Sequence, residues 1–222
     1  MAHRLLPFRQ YDENDVVNLF ALDADSTSGG GLKAIQPGTD SINADGVLVG
    51  VSAGNLGGNA GEDVVDVSED NRFMASYNSP VGRNPYPTNS LKVKPGASGN
   101  AALGVTLCQT LSVDENGESL LYNPVKKDEL NAVLSGQTVP VLTKGIIAVH
   151  ENGMNNHAET IFAVGDELAQ DGNGKFCVKL ATDAKVGQLL ATGARGGNKD
   201  NNYGGIRNDS LSGKYYLVKL DC

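Results

Sequence analysis

Gly136-Gln-Thr-Val-Pro-Val-Leu-Thr-Lys-Gly-Ile-Ile-Ala-Val149 is the stretch that decides the fold class of this chain. It holds two β-branched runs, 138–142 and 146–149, joined at Thr143-Lys144-Gly145. Val, Ile and Thr suit a pleated, half-buried surface, and Gly145 can take the positive φ that a tight corner needs. Nothing in the stretch is chemically reactive, so it reads as a building element.

The pattern repeats outward in both directions. Toward the C-terminus, 160–164, 175–180, 188–192 and 215–220 read as strands separated by Gly, Asn and Asp turns. Toward the N-terminus, 124–134 reads as a helix, with Leu130, Val133 and Leu134 on one face and Gly136 just beyond its end. Before it, 103–113 alternates in the manner of a strand, and Asp114-Glu-Asn-Gly117 predicts a hairpin turn into a strand at 118–122. Residues 47–51 predict another strand, whereas Arg83-Asn-Pro-Tyr-Pro-Thr-Asn89 carries two prolines and cannot be a central one. Many short strands at this spacing predict a mainly β fold, a β-barrel or sandwich with at most one or two short helices.

The glycine run Ser26-Thr-Ser-Gly-Gly-Gly31 punctuates the chain and suggests three parts. Residues 1–25 are an N-terminal arm or a first strand, 26–90 an irregular β-containing segment, and 91–222 the main β domain. Pro7 disfavours helix around Leu6, so the opening is extended. Its mixture of large apolar groups and arginine suits either a strand joining the core or an anchor on a neighbouring subunit. A loose echo between 99–107 and 183–193 is wording that barrels repeat without any duplication.

A chain of 222 residues can bury a sizeable core as one large β domain or two small ones. The formal charge of −8 argues against a general nucleic-acid binder, which needs a basic face for phosphates. It favours solubility, or a partner surface that is locally basic. Cys108, Cys177 and Cys222 are far apart and form no Cys-x-x-Cys pair, which disfavours a thiolate zinc site. Their odd number suits idle thiols in a reducing compartment, with Cys222 exposed. Pro7 and Arg9 interrupt any secretory apolar run, and no stretch of 18 apolar residues predicts a membrane span.

The sequence carries no recognisable catalytic or metal-binding motif. His150-Glu-Asn-Gly-Met-Asn-Asn-His157 places its second His at i+7 instead of the i+4 of a zincin, so a turn with two solvated imidazoles is expected. The oxygen-rich 114–118 and 171–174 lack the ligand ladder of a calcium loop and read as turns. Glycine–lysine neighbours at Lys175 and Lys214 lack the first glycine of a phosphate loop, and Gly96-Ala-Ser98-Gly99 is not a nucleophile elbow. The densest acidic group, Asp63, Asp66, Glu69 and Asp70, reads as a solvated edge before it reads as a hydrolase cleft. No catalytic residue, metal ligand or cofactor is therefore expected. The polar loop 193–205, with Arg195, Lys199 and Tyr203, is a mobile tip or a contact loop for a neighbouring subunit or glycan.

Three segments carry a resemblance. Pro7-Phe-Arg-Gln-Tyr-Asp-Glu-Asn-Asp-Val-Val-Asn-Leu-Phe20 is similar to the start of small virion proteins of tailed bacteriophages. Gln137-Thr-Val-Pro-Val-Leu-Thr-Lys-Gly-Ile146 looks like their central strand pair, and 178–193 resembles their closing β segments. The chain thus resembles a phage capsid decoration (cement) protein. The resemblance implies a non-enzymatic β-rich homo-oligomer, dimer or trimer, bound to the major capsid protein on the outside of the head, with no nucleic-acid or membrane contact. It implies synthesis in the host cytoplasm and residence on the virion. Leu5, Leu6, Phe8, Arg9 and Tyr11 would then anchor the arm. A head-fibre or tail component, and a glycan-binding protein or hydrolase, are the competing expectations.

Overall fold

The computed structural model describes residues 4–21, 44–53, 92–134, 137–155, 162–195 and 213–222. The first three strands are β1 (Leu5–Gln10), β2 (Val16–Ala21) and β3 (Leu48–Ala53), followed by β4 (Lys92–Pro95), β5 (Gly104–Thr106) and β6 (Gln109–Thr110). A short helix, α1 (Pro124–Glu129), precedes β7 (Ala132–Val133), β8 (Thr138–Leu142) and β9 (Lys144–His150). The chain closes with β10 (Glu167–Asp171), β11 (Lys175–Val178), β12 (Gly187–Arg195) and β13 (Gly213–Asp221). The fold is mainly β.

Two layers hold these strands. Six of them form an antiparallel sheet in the order β1-β9-β13-β12-β10-β11. Five others, in the order β2-β4-β3-β5-β8, curl into a ring that closes where β2 meets β4 at the single parallel pair Ala21↔Lys92. The remaining strands, β6 and β7, pair in parallel beside the ring. The arrangement is a sandwich in which one layer is itself a small ring.

Side-chain alternation assigns the two faces of each strand. Val47 and Val49 point into the ring with Phe20, Val93, Val139 and Val141, whereas Leu48 between them turns to the space between the layers. Leu142 and Val105 join it there, against Leu5, Ile147, Val149, Leu168, Phe176, Leu189 and Val218 of the six-stranded sheet. This is the period of two that a strand imposes. It lets one short run serve two cores.

The corner at Thr143 links the layers. The runs β8 and β9 do not pair with each other: β8 belongs to the ring and β9 to the sheet. The N-terminal segment makes the same passage beside them. Its β1 pairs with β9, a 3-10 turn at Glu13–Asp15 follows, and β2 pairs with β8. Thr143 ties the two passages together, because its amide and its hydroxyl both donate to the carbonyl of Asp15 at 2.9 Å. Its own carbonyl accepts from the amide of Cys222 at 3.1 Å. Gly145 has φ of +143°, and a Cβ there would lie 2.7 Å from Cβ of Tyr11 and 3.0 Å from the carbonyl oxygen of Gln10. The passages run too close for any other residue.

A buried arginine pins the start of β1. The guanidinium of Arg4 donates to the carbonyls of Asn173 at 3.0 Å and Gly174 at 2.7 Å. Its amide donates to the carboxylate of Asp45, 3.2 Å away, and the same carboxylate lies 3.7 Å from the guanidinium of Arg9. The oxygen-rich turn after β10 therefore aims its carbonyls at an arginine.

Several local expectations change. The helix ends at Glu129 instead of running to 134, because Leu130 caps it and Asn131 adopts φ of +48°. Leu120–Tyr122 is a 3-10 turn, with only the bridge Val113↔Ser119 left of the hairpin. The turn itself is as read, since the Asp114 carboxylate accepts from the amides of Asn116 and Glu118 and Gly117 has φ of +84°. Residues 162–166 are turn and coil, and the strand begins at Glu167, where pairing with β11 and β12 becomes available. His150 is buried, not solvated, because it ends β9 opposite Tyr215 of β13; its Nδ1 accepts from the amide of Asn152 at 3.2 Å.

The corner generates a direct test. Gly145→Ala combines a disfavoured φ with a backbone collision and is expected to destabilise the protein by about 2 kcal/mol or more. The exposed neighbour in Lys144→Ala should change stability by no more than about 0.5 kcal/mol. Urea unfolding midpoints of the two variants check this, and equal midpoints would contradict the tight corner.

Candidate functional site

The residues expected to form an arm divide into two groups. Leu5 and Leu6 are buried within the chain's own fold, Leu5 in the core between the layers. Phe8 is 53% exposed, Tyr11 is exposed, and Arg9 is half-buried beside Asp45. A bulge at 6–8, where Pro7 lies, re-aims the strand outward, which is how an edge strand turns its side chains from the sheet. Only Phe8 and Tyr11 of the five thus offer a large apolar surface to a neighbour. Of the expected contact loop, Arg195 ends β12 in register with Gly213, and Lys199 and Tyr203 lie outside the described residues. The acidic group at 63–70 also lies outside them.

Among the described residues, hollows open at two of the seams. One, of about 400 Å³, lies where Gly50, Lys94 and Gly96 meet Asn100, Leu103 and Gln170. The carboxamide of Gln170 crosses this seam from the sheet, and its nitrogen donates to the carbonyl of Asn100 at 2.6 Å. Among the described residues its oxygen has no hydrogen-bond partner, and it lies against Gly96, whose Cα leaves no room for a Cβ. The group therefore fastens ring to sheet at the wall of the hollow. The second, of about 420 Å³, lies over the corner between Tyr11, Asp12, Asp15, Lys144 and Lys219. Its acids are used locally: Asp12 caps the amide of Asn14 at 2.9 Å and Asp15 accepts from the amide of Asp12 at 3.3 Å.

A different surface stands out for its side chains. Strands β5 and β8 are antiparallel neighbours, paired at Val105↔Leu142 and Thr106↔Val141. A hairpin of about two to five residues would join them. Residues 107–137 are there instead, and the described stretch 107–134 builds a lobe with a core of its own from Leu111, Leu120, Leu130, Ala132 and Leu134. Asn123 caps α1 by accepting from the amide of Lys126, and Pro124 occupies the first turn, where its missing N–H leaves nothing unpaired. With Leu120 and Leu130 turned inward, Leu121, Tyr122 and Val125 are left outside, 66%, 84% and 78% exposed. The sequence held a signal for this: three apolar residues flanking an Asn-Pro helix start too short to bury them all. It was masked by the strand-like reading of 118–122.

The charges around the lobe are uneven. Lys126 is half-buried between Glu115 at 2.9 Å and Glu129 at 3.5 Å, and its hydrogen bond holds the Glu115 carboxyl below the ordinary carboxylate range. Glu115, Glu118, Asp128 and Glu129 are exposed, whereas Lys126 and Lys127 lean inward. The rim that a partner would meet is acidic.

Nucleophilic chemistry is poorly served. All three cysteines are free thiols. Burial pushes Cys177 up to about 11, with help from the nearby carboxylates of Asp171 and Asp183. Cys222 is exposed as a residue, but its sulfur turns back to the carbonyl of Val186, and burial with the adjacent Asp221 carboxylate pushes it up to about 12. Burial also raises Cys108. The thiolate is the reactive form, so burial disfavours it at all three positions. Among the described residues no group of three or more His, Cys, Asp or Glu is arranged to hold a metal ion, and no helix is long and apolar enough to cross a membrane.

Comparison with protein-family models, with curated proteins and with solved structures finds no match to this chain.

The raised thiols predict a pH dependence with a definite sign. The folded state retains these protons where the unfolded state, with thiols near 9, has lost them. Their stabilising contribution is thus complete below pH 9 and is lost as pH rises through about 11 for Cys177 and about 12 for Cys222. Cys177→Ser and Cys222→Ser should flatten the fall in urea midpoint above pH 9, and curves parallel to wild type would contradict the assignment.

Proposed function

We propose that this chain is a structural, non-enzymatic protein of a tailed-bacteriophage virion that binds the outer surface of the head and stabilises the capsid lattice by bridging subunits. The observation that carries the reading is where the resembling segments lie. Segment 7–20 spans most of β1 and most of β2, and 137–146 spans β8 and the start of β9. These are the two passages that run side by side between the layers. Segment 178–193 supplies most of β12, near the middle of the six-stranded sheet. The resemblance therefore falls on the frame of the fold.

The physical task suits such a frame. A decoration protein must resist deformation while adding a modest interface many times over the shell. Many weak contacts on one lattice act together, so no single one has to be strong. A sandwich whose layers share two strapped passages is stiff, and its acidic charge keeps the free chain soluble before assembly. In this reading the major capsid protein is the partner, and Phe8 and Tyr11 remain available as contacts between neighbouring copies.

The test is the copy number of the chain in purified particles, measured by quantitative mass spectrometry against the major capsid protein. The expected result is a ratio near one or a simple fraction of it. A few copies per particle would assign the chain to a tail or head fibre. Absence from particles would overturn the virion reading and return attention to a glycan-binding or hydrolytic role.

A further inference from the structure

We infer that the lobe at 107–134 is the docking element of this protein, and that Leu121, Tyr122 and Val125 seat in an apolar pocket with a lysine- or arginine-rich rim on the partner. The inference deepens the virion reading and rests on it for the partner's identity, the capsid shell.

The ring does not require the whole of this lobe. The strands β5 and β8 are already adjacent and in register, so a tight hairpin would complete the ring. Part of the lobe does serve the ring, since Val133 and Cys108 pack against its interior. That accounts for β6 and β7. It does not account for the 3-10 turn and α1, which pack on the lobe's separate core and hold three large side chains outside it. Scattered exposed apolar residues are ordinary, but three within five positions, on a support with no other evident use, are not. Tyrosine among aliphatic neighbours is also the composition of an interface centre.

Charge selects the occupant. Four exposed carboxylates on the lobe, Glu115, Glu118, Asp128 and Glu129, outnumber its two half-buried lysines, of which Lys126 pairs with Glu115 and Glu129. A second copy would bring the same acids against them, in a chain of formal charge −8. Like charges across an interface disfavour that pairing, while a basic rim is favoured and accelerates encounter. The occupant is therefore a different protein with an apolar pocket and a basic border. Any self-association of the chain uses another face.

The experiment is co-sedimentation of the full chain with DNA-filled heads assembled without it. Wild type is compared with the triple variant Leu121→Ser, Tyr122→Ser, Val125→Ser and with the double variant Glu118→Lys, Asp128→Lys. All of these sites are exposed, so urea midpoints should match wild type and report that folding is intact. The triple variant should bind about 100-fold more weakly, as expected when central aromatic and aliphatic anchors are lost. The double variant should bind less tightly, and its affinity should depend less on salt. Wild-type affinity for heads by the triple variant would overturn the lobe as docking element and leave head binding intact. Failure of wild type itself to sediment with heads would overturn the virion reading together with this partner. A wild-type dimer that the triple variant converts to monomer, seen by sedimentation velocity, would assign the patch to a second copy and also overturn the proposal.

Discussion

The carbonyl of Asp15, held by both donors of Thr143, is the contact on which the two-layer arrangement depends. A β-sandwich normally closes its layers by packing alone, and packing is tolerant of small slides. Here two adjacent passages leave one layer and enter the other at the same point, and a pair of hydrogen bonds fixes their relative register there. A slip of one residue in either passage would turn each side chain to the wrong face. Val16 and Leu142 would exchange the core between the layers for the ring interior that Val17 and Val141 now fill. The corner therefore sets register for both cores at once, and the C-terminal amide of Cys222 closes on the same residue.

Polar groups buried inside the layers follow the same logic. Arg4 and Gln170 are nearly inaccessible, and each fastens parts of the chain that are distant in sequence. Arg4 reaches carbonyls of the turn after β10, and Gln170 reaches the loop before β5. A buried charge costs a great deal unless hydrogen-bonded, so Arg4 tolerates few alternative arrangements of that turn. Apolar burial supplies the drive to collapse, and these groups help choose which collapsed form is kept. The amide oxygen of Gln170 lies so close to Gly96 that no residue with a Cβ fits there.

How much of this was legible in the sequence depended on range. The β class and the strands at Thr138–Leu142, Lys144–His150 and Gly213–Asp221 were readable because β-branched runs and their bounding glycines are local signals. The corner at Gly145 was readable for the same reason. That its two strands enter different layers was not, because the cause lies in Tyr11 and Asp15, more than a hundred residues away. The fate of Leu5 and Leu6 was equally hidden: apolar residues beside Pro7 suit a core or an interface, and only Asp45 and the turn at Asn173 decide between them. The lobe was missed through a local conflict. Leu120, Leu121 and Tyr122 look like a strand, but Asn123-Pro124 begins a helix, and the chain resolves the conflict with a 3-10 turn that faces one leucine inward and two side chains outward.

The separateness of the lobe's core has a consequence for how such a protein can change over time. The register of β5 against β8 is held by Val105, Thr106, Val141 and Leu142, all outside the lobe's tip. Substitutions among the exposed residues of the turn and α1 are thus insulated from the ring and sheet, and are free of the constraint that governs the corner. The chain behaves as a fixed chassis with an exchangeable bit. If the lobe docks as proposed, its surface can track a drifting partner by rewriting a few positions, while the rest of the sequence is held still by packing.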